Sequence, residues 1–404
     1  MHIMHIALGG CFRPPPVCYG LTEDTGGHIA YVLSAAMAQS RKARISIVTR
    51  AFDDHGPDYA AVETPVAPGV TIRRIRGGSS AYLTKSALWD DLRNMRRSFA
   101  ALLDRQRPDI IHAHFADAAE LALDIAGPRG IPVVYTPHSL ALDKTAPEAR
   151  RIRAERRAIR ECAAVIVSSA DEVERQVHSY APEVQAIRIA PGPTARSPGA
   201  LPELALDDPD RPMILSIARP VAKKNLAALV RAYAGSALKD RANLVILAGQ
   251  HATLEPEAHG VLDGLRQAGA GLGGRFALPP AHDGGHVAAL YARAAQTGGV
   301  FVNPALFEPF GLTLLEAAAA GLPVVATRHG GPSRIVAELG NGALVDPEPG
   351  PIAQACLALL DDRAGWSAAA ANGLARIGRY SWERYAEETL HLYGAFSRTA
   401  WAAE

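Results

Sequence analysis

Residues 300–327 read VFVNPALFEPFGLTLLEAAAAGLPVVAT. Val300–Val302 is a short apolar run of the kind a strand buried on both faces requires. Pro304, Pro309 and Gly311 then hold the chain in a loop. From Leu312 an Ala/Leu-rich stretch has helical composition, and after Gly321-Leu322-Pro323 the run Val324–Thr327 reads as a second strand. Strand, loop, helix and strand in that order make a βαβ unit, which implies a parallel sheet.

The same alternation extends outward. Met213–Ile217 and Leu244–Ala248 are further buried strands, with a helix starting near Asn225. Upstream, Ile3–Leu8, Ile45–Thr49, Ile110–His112, Val133–Thr136 and Val165–Ser168 read as strands, separated by helical stretches such as His28–Gln39 and Trp89–Arg105. Between the two sets, residues 190–211 (APGPTARSPGALPELALDDPDR) are dense in Pro, Gly and Asp, and read as a linker. The spacing predicts two Rossmann-like doubly wound α/β domains, 1–200 and 201–381. An amphipathic tail helix over 382–404 (Trp382, Tyr385, Leu390, Tyr393) is expected to pack back on the first. Two open parallel sheets facing across a cleft would present ligand sites at their strand carboxyl ends.

Composition narrows the function. In 404 residues, 42 Lys+Arg face 41 Asp+Glu, a net charge of +1, so bulk charge draws this chain to neither nucleic acid nor a membrane surface. Hydrophobic residues make up 48%, enough for sizeable cores. Four cysteines (Cys11, Cys18, Cys162, Cys356) lack both the density of a disulfide scaffold and the CxxC spacing of a zinc site, so plain thiols and no metal centre are expected. With no long apolar span and no basic N-terminal leader, the expectation is a soluble, cytoplasmic protein.

Three local patterns suit an anionic sugar ligand. Asp24-Thr25-Gly26-Gly27-His28 opens a helix, where Gly26 and Gly27 admit close approach to backbone N–H groups. Arg219 and Lys224 follow strand Met213–Ile217, pairing a planar fork of donors with a point charge, as a pyrophosphate needs. Glu308 lies in the Pro/Gly loop and Glu316 inside the following helix. Between them, the amides of Phe310, Gly311, Leu312 and Thr313 can meet a phosphate, and both carboxylates can accept from sugar hydroxyls.

Together these residues resemble the retaining GT-B glycosyltransferases of the sucrose-synthase-like family, nearest to the sucrose-phosphate synthase branch. The likeness rests on DTGGH (24–28), HAHFAD (112–117), TPHSL (136–140), RRIRAER (150–156), ARPVAKKN (218–225), the 303–327 stretch and HGGP (329–332). It implies transfer of a hexose from a nucleotide diphosphate sugar, such as UDP-glucose, to a sugar phosphate such as fructose 6-phosphate. No cofactor or metal is implied; the partners are small molecules. Related readings are a sucrose synthase-like or mannosylfructose-phosphate synthase-like transferase, or a GT-B-fold nucleotide-sugar epimerase. On the donor side the resemblance assigns Arg219 and Lys224 to the diphosphate, Glu316 to the ribose, and Glu308 and the loop amides to the hexose. His138 is assigned to the donor's hydroxymethyl group, and Gly26 and Gly27 to the same ligand. On the acceptor side it assigns Gly26, His28, Lys85, Phe115, Lys144, Arg150 and Arg151. His28 stands where the family has glutamine, Phe115 where it has tyrosine and Val221 where it has aspartate. No phosphatase-like domain is expected after Ser381-Trp382.

Overall fold

The computed structural model describes all residues except Cys18, Glu23, 144–147, Ala195, Glu255 and 402–404. The chain divides into two compact units. One comprises Met1–Val17, Gly27–Pro191 and Trp382–Glu404; the other comprises Cys18–Gly26 and Gly192–Ser381.

The first unit is built on β1 (His2–Ile6), β2 (Arg44–Arg50), β3 (Glu63–Ala67), β4 (Val70–Ile75), β5 (Ile110–His114), β6 (Val133–Thr136), β7 (Ala164–Val167) and β8 (Ile187–Arg188). Their order in the sheet is β3-β4-β2-β1-β5-β6-β7-β8, and only β3 runs antiparallel. Helices cover both faces, so β1 and β5 are buried along their whole length. The helix Lys85–Gln106 shows how: Leu88, Leu92, Met95, Phe99 and Leu103 recur at helical spacing and pack against Met4, Ile6 and Ile111. The helix Trp382–Trp401 packs against the helix Gly27–Gln39, in the same unit.

The second unit carries β9 (Met213–Ile217), β10 (Asn243–Leu247), β11 (Phe276–Ala277), β12 (Val300–Asn303), β13 (Val324–Thr327) and β14 (Gly342–Val345). All are parallel, in the order β11-β10-β9-β12-β13-β14. Ile214, Leu229, Tyr233, Leu244, Val300, Val302 and Val325 belong to its core. The described part of the linker, between β8 and β9, forms neither helix nor strand.

Each sheet reverses direction once. In the first, the chain winds outward from β1 through β2 and returns at β5; in the second, it winds from β9 through β10 and returns at β12. At such a reversal the two flanking loops diverge and leave a crevice at the strand carboxyl ends. Candidate site residues therefore belong after β1, β5, β9 and β12.

Among the described residues no helix is long and apolar enough to cross a membrane. Cys162 and Cys356 are thiols, not disulfides, and Cys18 lies outside the described residues.

Candidate active site

In the second unit, Arg219 and Lys224 follow β9, while Glu308 follows β12, so the crevice loops deliver both cations and the carboxylate. A single turn, Ala222–Lys224, precedes Asn225, whose backbone sits in the left-handed region at φ 52°. Asparagine tolerates this conformation, and its amide holds the turn by donating to Pro304 O at 3.0 Å and Pro347 O at 2.9 Å. Lys224 Nζ then donates to Glu308 Oε2 at 2.6 Å, and Asn303 Nδ2 reaches the same oxygen at 3.3 Å. Burial alone would raise the Glu308 pKa, but the Lys224 charge, its hydrogen bond and the Asn303 amide outweigh it and hold the carboxyl below its ordinary value. Glu308 is thus an acceptor-only carboxylate. Gly26 belongs to the same unit and lies against Arg219, where an added Cβ would stand 3.7 Å from Nε.

The 307–313 loop is held in place by the HGGP segment. Glu308 pairs with Gly330 as an isolated parallel bridge: Glu308 N donates to His329 O at 3.1 Å, and Gly331 N to Glu308 O at 2.9 Å. Only glycines fit there. A Cβ on Gly330 (φ 92°) would lie 2.2 Å from Glu308 O, and one on Gly331 would lie 2.1 Å from Phe310 O. Gly330→Ala is expected to cost at least about 1–3 kcal/mol from its left-handed backbone, and to push the loop off its bridge. Thermal unfolding and nucleoside diphosphate titration of that variant check it: a lower Tm with weakened binding is the expected pair. The loop runs into the helix Leu312–Ala319, where Leu314 N is taken by Gly311 O at 3.0 Å and the amides of Leu312 and Thr313, with no intrahelical acceptor, are of the kind that donates to an anion.

Glu316 sits inside that helix, 8% exposed, and is engaged on both oxygens. Arg196 Nη1 donates to Oε1 at 2.5 Å, and Tyr291 Oη to Oε2 at 3.3 Å. Arg196 also lies over the Tyr19 ring, 5.6 Å from its centroid. Sequence reasoning missed Arg196, because the Pro/Gly-rich linker around it carries no periodic signal and its partner is 120 positions away.

In the first unit, His28, Phe115 and His138 come together. Ring centroids are 5.1 Å apart for His28–Phe115 and 4.9 Å for Phe115–His138. Phe115 (φ 70°) and His138 (φ 55°) both hold left-handed backbones at the ends of β5 and β6. Strain of this kind collects at functional sites. Lys85 opens its helix with Nζ 5.6 Å from the Phe115 centroid. Both arginines are engaged by protein partners. Arg151 is bound to Glu155 at 2.7 Å and to Ser139 O at 2.7 Å, where it braces the TPHSL loop. Arg150 turns outward to Asp90 at 2.8 Å and Trp89 O at 2.6 Å. Lys144 lies outside the described residues.

Beneath His138 is a cluster that no single motif announces. His5, His112 and His114 are fully buried, with ring nitrogens within 4.8 Å of one another. The β1–β5 register places His5 opposite His112. His5 bonds His114 and Gln39, while the two His112 nitrogens bond Thr136 and Tyr393.

Residues 205–376 match the family model described as glycosyl transferases group 1, and residues 26–192 that of the glycosyl transferase 4-like domain. The chain is therefore built of glycosyltransferase domains, one of group 1 and one 4-like. Among curated group 1 relatives, sucrose-phosphate synthase 4 of Arabidopsis thaliana is 31% identical over 497 residues, covering 96% of this chain and 47% of that protein. The chain therefore spans about half the length of the curated relatives it matches. A solved sucrose-phosphate synthase from Thermosynechococcus elongatus superposes with a TM-score of 0.85, over 100% of both chains at 24% identity. The catalytic domain of starch synthase IV from Arabidopsis thaliana, bound to ADP and acarbose, gives 0.73 at 17% identity, covering 98% of this chain and 99% of that one. Both likenesses show a shared fold, GT-B.

Proposed function

We propose that the chain transfers a hexose from a nucleotide diphosphate sugar to a sugar phosphate with retention at the anomeric carbon, as a sucrose-phosphate synthase does. The observation that carries this reading is the pairing of Lys224 with Glu308 beside the first-turn amides at the switch point of the second sheet. A hexosyl diphosphate needs that set: cations for the leaving group and a carboxylate for sugar hydroxyls. The curated relatives are sucrose-phosphate synthases, and the starch synthase structure holds ADP.

In this reading negative charge grows on the β-phosphate as the glycosidic bond breaks. Arg219, Lys224 and the amides of Phe310–Thr313 meet it as preorganised donors. An ammonium has three donors, so Lys224 can keep Glu308 while it bonds a phosphate oxygen. Glu308 accepts from hexose hydroxyls, and the departing phosphate takes the acceptor hydroxyl's proton. Glu316 takes the ribose hydroxyls once Arg196 yields. On the acceptor side Lys85 meets the phosphate, beside His28 and Phe115. Arg151 supports the loop instead, its charge being taken up by Glu155 and Ser139.

A donor-by-acceptor matrix tests the reading: UDP-, ADP- and GDP-sugars against fructose 6-phosphate and free fructose, followed by nucleoside diphosphate release. Release that depends on the phosphorylated acceptor is expected. Release indifferent to every acceptor would overturn the reading. Lys85→Ala is expected to raise KM for the phosphorylated acceptor about 10–100-fold, the worth of one charge-assisted hydrogen bond, with donor KM within about twofold. Equal effects on both substrates remove Lys85 from the acceptor site.

A further inference from the structure

We propose that a buried file of hydrogen bonds, Thr389–Gln39–His5–His114–His138, fixes His138 with its proton on Nε2 and an unprotonated Nδ1 facing ligand, making Gln39 and Thr389 positioning residues. The inference rests on the proposed function together with the resemblance, which assigns His138 to the donor's hydroxymethyl group.

Five elements distant in sequence supply the file: β1, the helix Gly27–Gln39, the carboxyl ends of β5 and β6, and the helix Trp382–Trp401. Gln39 Nε2 donates to Thr389 Oγ1 at 2.9 Å, and its Oε1 lies 2.7 Å from His5 Nε2. His5 Nδ1 lies 2.9 Å from His114 Nε2, and His114 Nδ1 lies 2.9 Å from His138 Nε2. None of these bonds involves a carboxylate. His5 and His114 have no solvent exposure, and burial keeps their rings neutral. A neutral imidazole has one donor and one acceptor nitrogen. Once one end of the file is set, every proton along it is set.

Thr389 sets that end. Its hydroxyl lies 2.8 Å from Tyr385 O and 3.2 Å from Ala386 O, both acceptors only. With its one proton given to the helix backbone, Thr389 Oγ1 can only accept from Gln39. The amide must then show its carbonyl to His5, so His5 donates from Nε2 and accepts at Nδ1. His114 donates from Nε2 to His5 and accepts at Nδ1, and His138 donates from Nε2 to His114. The reversed file would spend the Thr389 proton on Gln39 and leave Oγ1 2.8 Å from Tyr385 O with no proton between them. Two facing lone pairs at that distance repel, which decides the direction. His138 Nδ1 bonds no other group among the described residues. It meets a ligand as an acceptor and rewards a substrate O–H over an ether, a fluorine or a C–H at that place.

Histidine labelled with ¹⁵N in the full chain reports the tautomer directly, because protonated and bare ring nitrogens resonate far apart. Nε2–H forms are expected for His5, His114 and His138. Gln39→Met and Thr389→Val should turn His138 into a mixture, and Thr389→Ser, which keeps the hydroxyl, should preserve the single form. With a nucleotide sugar and its 6-deoxy analogue, Gln39→Met should lose about tenfold of the discrimination in kcat/KM. A His138 protonated on Nδ1 in the unmutated protein overturns the proposal, as does an unchanged tautomer in both disruptive variants. So does stoichiometric zinc bound between His5 and His114 in the purified protein. If the tautomers are as expected but no nucleotide sugar turns over, the functional reading fails and the file stands.

Discussion

Lys224→Ala and Arg219→Ala are each expected to lower kcat/KM by about 10²–10³-fold, the range seen when one preorganised donor to a developing anion is lost. The Lys224 variant should do something more. Lys224 holds the Glu308 carboxyl below its ordinary value against the opposing effect of burial. Without the ammonium, burial dominates and the Glu308 pKa rises. A step that needs the carboxylate then fails at a higher pH, so the acidic limb of the rate profile should move upward in Lys224→Ala and stay in place in Arg219→Ala. Profiles of kcat/KM from pH 5 to 8 for the two variants separate the roles. Superimposable limbs would show that the 2.6 Å pair has no bearing on the reaction.

Acid should unfold this protein early. Burial lowers the pKa of His2 and His5 from 6.5 to about 4, and those of His112, His114 and His138 well below 6.5. Such groups cost nothing above pH 6.5, where folded and unfolded chains are alike neutral. Below it the unfolded chain takes up protons that the folded one refuses, so stability falls as pH drops toward 4. His5 alone accounts for about 3 kcal/mol of that loss. Two carboxyls oppose it. Burial raises Asp117 to about 6 and Glu172 to about 7, and both stabilise the folded form as they protonate. Burial holds His282 at about 4 as well, so six imidazoles against two carboxyls leave a net uptake of roughly four protons on unfolding near pH 5. Denaturant unfolding at pH 7, 6 and 5 measures it through the slope of stability against pH. A slope of zero, or greater stability at pH 5 than at pH 7, would mean that the cluster is charged when folded.

The sequence made some of this legible. Buried parallel strands announce themselves by continuous apolar runs, so β9, β12 and β13 lie within a residue or so of their expected places. The hairpin β3–β4 escaped because VTIRRI carries two arginines. Arg74 nevertheless buries, giving its guanidinium to Phe12 O at 2.9 Å and Ala61 O at 3.0 Å. Two-residue strands such as β8 and β11 are too short to have a period. At the site, composition marks which residues bear the chemistry but not their partners. Glu308 and Lys224 are 84 positions apart, and the linker that hides Arg196 looks like a spacer. The histidine file is the extreme case, since each ring taken alone reads as an ordinary core residue.

The helix Trp382–Trp401 returns to the first unit after the whole of the second has been threaded. As the ribosome delivers the chain, the amino-terminal body is made early and completed last. His5, Gln39 and His112 wait through all of β9–β14 for Thr389 and Tyr393 to arrive. Separate expression of the halves therefore calls for a circularly permuted or two-piece gene, since cutting at the linker leaves the first body without its closing helix.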